Sequence, residues 1–139
     1  MRILAVDPGE KRLGIALSDP TGTIANPLTV IKHFSRPVDA ATIAQIAREN
    51  QVALIIVGQA LDEEDRPTPQ SRRANRLADA LRAQIELPIE LWDESGSTQA
   101  ARSARIAMGS SRKKRRGHLD DLAATYILQT YLDAVAEKR

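Results

Sequence analysis

The stretch that most constrains the fold is the first nineteen residues, MRILAVDPGEKRLGIALSD. Arg2 to Val6 is a short run dominated by aliphatic side chains, which reads as a strand buried on both faces. It ends in Asp7, and Asp7-Pro8-Gly9 breaks it. After a basic tip, Lys11-Arg12, a second apolar run from Leu13 to Leu17 returns towards Asp19. The pattern predicts a hairpin that holds one carboxylate at the end of a buried strand.

The rest of the chain extends this hairpin into a layered fold. Asp19-Pro20-Thr21-Gly22 is a turn signal, and Thr23 to Lys32 reads as a third strand, with Pro27 marking an edge or a bulge. Ser35-Arg36-Pro37 opens a helix anchored by Val38, Ala41, Ile43, Ile46 and Ala47. Val52 to Val57 is a buried strand closed by Gly58. Residues 59–69 are polar and contain prolines, as expected of a mobile loop. Gln70 to Gln84 is a helix with Ala74, Leu77, Ala78, Leu81 and Ile85 on one face. Pro88 to Trp92 is a fifth strand ending in Asp93-Glu94. Ser95 to Met108 reads as a helix with Gly109 as its stop. Ser110 to Gly117 reads as a basic loop, and Leu119 to Lys138 as a long amphipathic helix.

An antiparallel meander followed by strand–helix–strand crossovers predicts an α/β fold. Its five-stranded mixed sheet carries helices on both faces. With 139 residues, no internal repeat and no linker composition, residues 1–139 are expected to form a single domain. Aromatic residues make up only 3% of the chain, so the core is aliphatic and a base-stacking platform is disfavoured. The absence of cysteine excludes disulfides, thiolate metal sites and a Cys nucleophile. No signal peptide and no bilayer-length apolar run is visible, and a cytoplasmic location is expected.

Carboxylates at element ends are few: Asp7, the Asp93-Glu94 pair, and Asp120-Asp121 opening the last helix. If the first and fifth strands run parallel in one sheet, Asp7 and Glu94 share its carboxyl edge, where open α/β sheets place their sites. A last helix starting over that edge adds Asp120. Crowded carboxylates repel unless a cation joins them, and oxygen-only ligands select Mg²⁺ or Mn²⁺. Paired ions of this kind, about 3.5–4 Å apart, support phosphodiester hydrolysis. Each acid also has a purely structural reading: Asp7 as a turn former, Glu94 as a solvated residue, Asp120 as a helix-dipole partner.

Four motifs carry a resemblance. Asp7 to Asp19, DPGEKRLGIALSD, matches D-x-G-x-K-R-x-G-x-A-x-S-D; LIIVG spans Leu54 to Gly58; WDESGST spans Trp92 to Thr98; and SSRKKRRGHLDDLAATYILQTYLD spans Ser110 to Asp133. Together they make the chain resemble the YqgF family of RuvX-like Holliday-junction resolvases, in the ribonuclease H-like superfamily. The resemblance implies a ribonuclease H-like fold and a metal-dependent nuclease. It makes Asp7, Glu94 and Asp120 both catalytic and metal-binding, with Asp93 and Asp121 as reserves. It implies two substrates, four-way DNA junctions and the 5′ end of pre-16S ribosomal RNA, of which the ribosomal RNA is preferred. The chain departs from the family at Ser95-Gly96, where the third motif usually carries Arg-Leu.

Seven Lys or Arg and no acid lie between Ser95 and His118, which leaves the remainder of the chain acidic. This asymmetry suggests a polyanionic partner. Arg102, Arg105, Arg112, Lys113, Lys114, Arg115 and Arg116 are candidates to hold a phosphate backbone beside Asp120, with Lys11 and Arg12 gripping from the hairpin. The structural alternative for each is a solvated charge. The competing function is a non-catalytic nucleic-acid-binding or transcription-associated factor on the same fold. Either a monomer or a homodimer is compatible with these features. A nucleotide-cleft ATPase needs two such domains, and the chain is too short for that.

Overall fold

The N-terminal hairpin forms from β1 (Arg2–Pro8) and β2 (Arg12–Ser18), paired antiparallel from Leu4↔Leu17 to Pro8↔Leu13. A computed structural model describes residues 1–94 and 112–138, with side chains in the second stretch described from Leu122 onward. The hairpin turn closes through the Gly9 N–H, which donates to the Arg12 carbonyl at 3.0 Å. A Cβ on Gly9 would lie 2.3 Å from that oxygen, so the turn requires glycine. Asp7 lies in the ladder opposite Gly14, one residue before the end of β1, so the carboxylate expected at the end of a buried strand is found there. Pro8 is tolerated because pairing to the other neighbour stops at Val6↔Val57, so no partner there requires its N–H.

β3 (Ala25–Lys32) completes the meander. Pro27 coincides with a register shift opposite Ile15 and Ala16, on the edge strand, as its chemistry demands. The β2–β3 connection is organised by Asp19, whose carboxylate accepts the N–H groups of Thr23 at 2.8 Å and Ile24 at 2.9 Å. These bonds, led by Ile24 and joined by the Thr21 hydroxyl, hold the Asp19 carboxyl well below the usual carboxylate range.

Two parallel crossovers add β4 (Val52–Gln59) and β5 (Ile89–Asp93), giving the five-stranded order β3-β2-β1-β4-β5. This is the mixed sheet expected from the sequence. Its two faces carry separate apolar clusters. Leu4, Val6, Ile15, Ile55 and Val57 face one way, towards α1 (Arg36–Glu49) and α2 (Pro69–Arg82). Ile3, Ala5, Ala16, Leu54 and Ile56 face the other, against α3 (Arg112–Glu137). Burial on both sides explains why β1 and β4 read as unbroken apolar runs.

Helix α1 is capped by Ser35, whose hydroxyl accepts the Val38 N–H at 3.4 Å. Its buried face is Ala40, Ile43, Ala44 and Ala47, whereas Val38 and Ala41, expected as anchors, are exposed. The physical reason is Asp39. It is 3% exposed, accepts the Phe34 N–H at 3.0 Å and pairs with His33 Nδ1, which sets the helix one position round. Helix α2 starts on a reciprocal Thr68–Ser71 capping box with Pro69 in its first turn. The 59–69 segment, expected to be mobile, is closed by Asp62, which accepts the Glu64 and Arg66 N–H groups at 2.9 and 2.8 Å.

Helix α3 corrects two expectations. It begins at Arg112, so Arg112 to Gly117 are helical and not a loop, and Asp120 lies well inside the helix instead of opening it. Arg and Lys are good helix formers, and one glycine costs only about 1 kcal/mol against alanine, which a long helix tolerates. The helix expected over Ser95 to Met108, with Arg102 and Arg105, lies outside the described residues.

Candidate active site

Asp7 and the Asp93-Glu94 pair lie at the carboxyl edge of the parallel strands. Ile3 and Ala5 pack on the α3 side of β1, so two-residue alternation puts Asp7 on that side, half-buried at the edge. Across the sheet, Trp92 packs with the α3 cluster and Leu91 with the opposite one. Alternation therefore separates the two adjacent acids. Asp93 falls on the α1–α2 side, and Glu94 on the α3 side with Asp7.

Glu94 is only 8% exposed. Its N–H donates to the Gln59 carbonyl at 3.0 Å, continuing the β4–β5 ladder one step past Asp93. Val6 is level with Val57, and Val57 with Leu91, so Glu94 stands two residues further along than Asp7 and two strands away. Strand spacing and rise put their Cα atoms roughly 12 Å apart, with both side chains on one face.

Helix α3 is seated on this face by a close approach. A Cβ on Gly58 would lie 2.5 Å from Ile127 Cδ1. Trp92 Nε1 donates to Thr130 Oγ1 at 3.0 Å, and its ring meets Tyr131 edge-on at 5.2 Å. Burial raises the Tyr131 hydroxyl above its usual pKa, and the Glu90 carboxylate beside it adds to the effect. Asp120 precedes Ala124 by one helical turn and Ile127 by two, in the helix that packs here. Asp121 is its neighbour in the same turn. Among the described residues, no three His, Cys, Asp or Glu side chains form a metal-sized group.

The basic candidates divide in the same way. Lys11 is exposed in the hairpin turn, and Arg12 opens β2 opposite Lys32, at the Asp7 end of the hairpin. Arg112, Lys113, Lys114, Arg115 and Arg116 occupy the first turns of α3. On the other side of the edge lies a group the sequence did not single out. Glu10, His33, Arg36, Asp39 and Arg73 surround a cleft of about 170 Å³ below Pro8 and Gly9. Only tertiary contact joins them, since Arg73 and Pro8 are 65 positions apart. No motif or periodicity marks such a set.

The comparisons with known proteins agree with this architecture. The model of the family described as RuvX: Holliday junction resolvase matches residues 1–134. The chain belongs to the RuvX family. A RuvX relative from Thermoanaerobacter pseudethanolicus is 41% identical over 139 residues, covering 99% of this chain and 100% of the relative. One from Clostridium kluyveri is 38% identical over 137 residues, with 99% and 100% coverage. Both carry the name "Putative pre-16S rRNA nuclease". Among solved structures, Thermus thermophilus RuvC aligns with a TM-score of 0.65 at 12% identity, over 99% of this chain and 97% of that one. The fowlpox virus Holliday junction resolvase aligns at 0.56 and 16% identity, over 97% and 99%. At those identities the likeness is one of fold, and it extends the RuvX chain's sheet and helices to the resolvase architecture.

The donors at this edge are carboxylate oxygens in a chain without cysteine. Such a set fits a hard divalent cation and does not fit a thiolate-preferring metal.

Proposed function

We propose that this chain is an endonuclease that hydrolyses phosphodiester bonds in structured nucleic acid. In this reading residues 1–139 work as one ribonuclease H-like domain, with Asp7, Glu94 and Asp120 holding Mg²⁺ or Mn²⁺. The observation that carries the reading is the common face of Asp7 and the buried Glu94 at the carboxyl edge of the sheet, in a chain of the RuvX family. Asp120 joins them as the acid one turn ahead of the Ala124–Ile127 contact. Asp93 is left out because alternation gives it the opposite face, and Asp121 stays as the reserve for Asp120.

Bound there, such an ion supplies Lewis acidity towards a phosphodiester oxygen and promotes deprotonation of the attacking water. The chain's own residues do the positioning. Asp7 is fixed by the ladder on either side of it, and Glu94 by its N–H bond to Gln59, so neither depends on a free loop for its place. Lys11, Arg12 and the basic start of α3 supply phosphate contacts that hold the backbone without reading bases. Arg102 and Arg105 belong to the same basic segment.

The names of the relatives favour processing of pre-16S ribosomal RNA, and the family description favours four-way junctions. Both substrates are branched or folded polyanions suited to the same basic contacts. A cytoplasmic site of action accompanies the ribosomal RNA reading. No helix among the described residues is long and apolar enough to cross a membrane. The test is cleavage of labelled pre-16S RNA and of a synthetic four-way junction with Mg²⁺ or Mn²⁺. Wild type is expected to cut at least one of them, and Asp7→Asn neither. Salt-sensitive binding without any metal-dependent cut would instead make the chain a non-catalytic nucleic-acid-binding factor.

A further inference from the structure

The cleft on the α1–α2 side of the carboxyl edge has an ordered cation at its wall. Arg73, on α2, has a side chain only 27% exposed. Its Nη1 donates to the Pro8 carbonyl at 3.4 Å, and its Nη2 to Glu10 Oε1 at 3.2 Å. The first contact ties the guanidinium to the residue that follows Asp7. The second is of a different kind, because Glu10 is 80% exposed and its pair with Arg73 is screened by water. A guanidinium has five N–H donors in a planar fork, so these two bonds leave capacity for a bidentate oxyanion.

The other acid of the cleft does not contest Arg73. Asp39 is buried and committed to the Phe34 N–H and to His33 Nδ1. His33 and Arg36 line the same space, and Glu10 is the one solvent-exposed carboxylate among its described lining residues. A nucleic-acid strand passing over Asp7 carries further phosphates on either side of the one attacked. The cleft is lined by Pro8 and Gly9, the two residues that follow Asp7.

We propose that this cleft is a subsite for a backbone phosphate of the nucleic acid, bound by Arg73, and that Glu10 occupies the guanidinium until that phosphate displaces it. The inference rests on the nuclease reading above and deepens it. Arg73 is a positioning residue on the far side of the sheet edge from α3, and Glu10 is an internal competitor that disfavours weak, non-specific anions.

The test is fluorescence anisotropy with a labelled four-way junction and a labelled structured RNA, over a range of salt and in EDTA so that nothing is cut. Glu10→Gln is expected to tighten binding about threefold or more. Arg73→Gln is expected to weaken it about tenfold and to lower the slope of log affinity against log salt by about 1. The double variant is expected to match Arg73→Gln, because Glu10 acts through Arg73. Additive effects in the double variant would reveal general charge repulsion and overturn the subsite, as would an unchanged Glu10→Gln. Glu10 is exposed, so that variant tests the idea even if Arg73→Gln fails to fold. Inorganic phosphate is expected to compete more strongly than chloride at equal ionic strength in wild type but not in Arg73→Gln, and equal competition in the two proteins would overturn the subsite. A wild type that binds neither nucleic acid removes the nuclease reading and this inference together. A wild type that binds and cuts, with both single variants unaltered, removes this inference alone.

Discussion

Gly58 and Ile127 meet so closely that no other residue fits at position 58 without a shift. An added Cβ would lie 2.5 Å from Ile127 Cδ1 and 3.2 Å from Cγ1. Ile127 is fully buried, so its side chain has little room to yield. The contact sets how near α3 lies to β4 at the level of Asp7.

Gly58→Ala is therefore expected to destabilise the protein by about 1–3 kcal/mol through overpacking. Removing the clashing methyl should restore part of the loss, so Gly58→Ala with Ile127→Val is expected to be more stable than the sum of the single changes implies. Urea midpoints of the four proteins measure the coupling. Strict additivity would mean that α3 is not seated by this contact.

The start of α2 offers a simpler stability test. Thr68 and Ser71 exchange side-chain to backbone hydrogen bonds, at 3.0 Å to the Ser71 N–H and 2.8 Å from the Thr68 N–H. Thr68→Ala is expected to cost about 1 kcal/mol, within the range for loss of an N-cap. Thr68→Ser keeps the acceptor and is expected to cost less. Equal losses in thermal unfolding for both would place the effect in the methyl group and not in the cap.

Asp19 makes stability depend on pH. Its folded pKa is depressed by the Ile24, Thr21 and Thr23 hydrogen bonds, so the folded state favours the carboxylate. A group of this kind stabilises the fold at pH above its unfolded value, near 3.9. That contribution is lost as pH falls from there through the lower folded value. Asp19→Asn is expected to be less stable than wild type at pH 7. The gap should narrow as the pH is lowered below about 4. Unfolding midpoints across that range check it, and a gap that widens on acidification would contradict the assignment.

How much of this was legible in the sequence depends on the range of the interaction. β1 and β4 are buried on both sides, so unbroken apolar runs announced them. Pro27 announced an irregular edge strand. The buried face of α1 was not legible, because a polar residue, Asp39, takes an inward position to satisfy the Phe34 N–H and His33. The start of α3 was not legible, because a run of Arg and Lys is compatible with both a solvated loop and a helix. Asp93 and Glu94 could be told apart by family resemblance. Their physical separation emerges once Trp92 is seen to pack on the α3 side. The Arg73–Glu10 pair joins residues 63 positions apart and had no local signature.

That separation of faces leads to the sharpest prediction for activity. If the cleavage site uses the α3 side of the sheet edge, then Glu94→Gln and Asp7→Asn should each lower cleavage by about 10²-fold or more, the scale of losing electrostatic stabilisation in a transition state. Asp93→Asn, one residue away but on the other face, should leave the rate within a few-fold of wild type. Nucleic-acid binding in EDTA should survive in all three, because phosphate contacts come from the basic residues and not from the acids. Loss of cleavage in Asp93→Asn, with Glu94→Gln still active, would move the site across the sheet and discard the alternation argument. Carrying out the three substitutions in parallel, with cleavage and binding measured on the same preparations, separates a lost reaction from a lost fold.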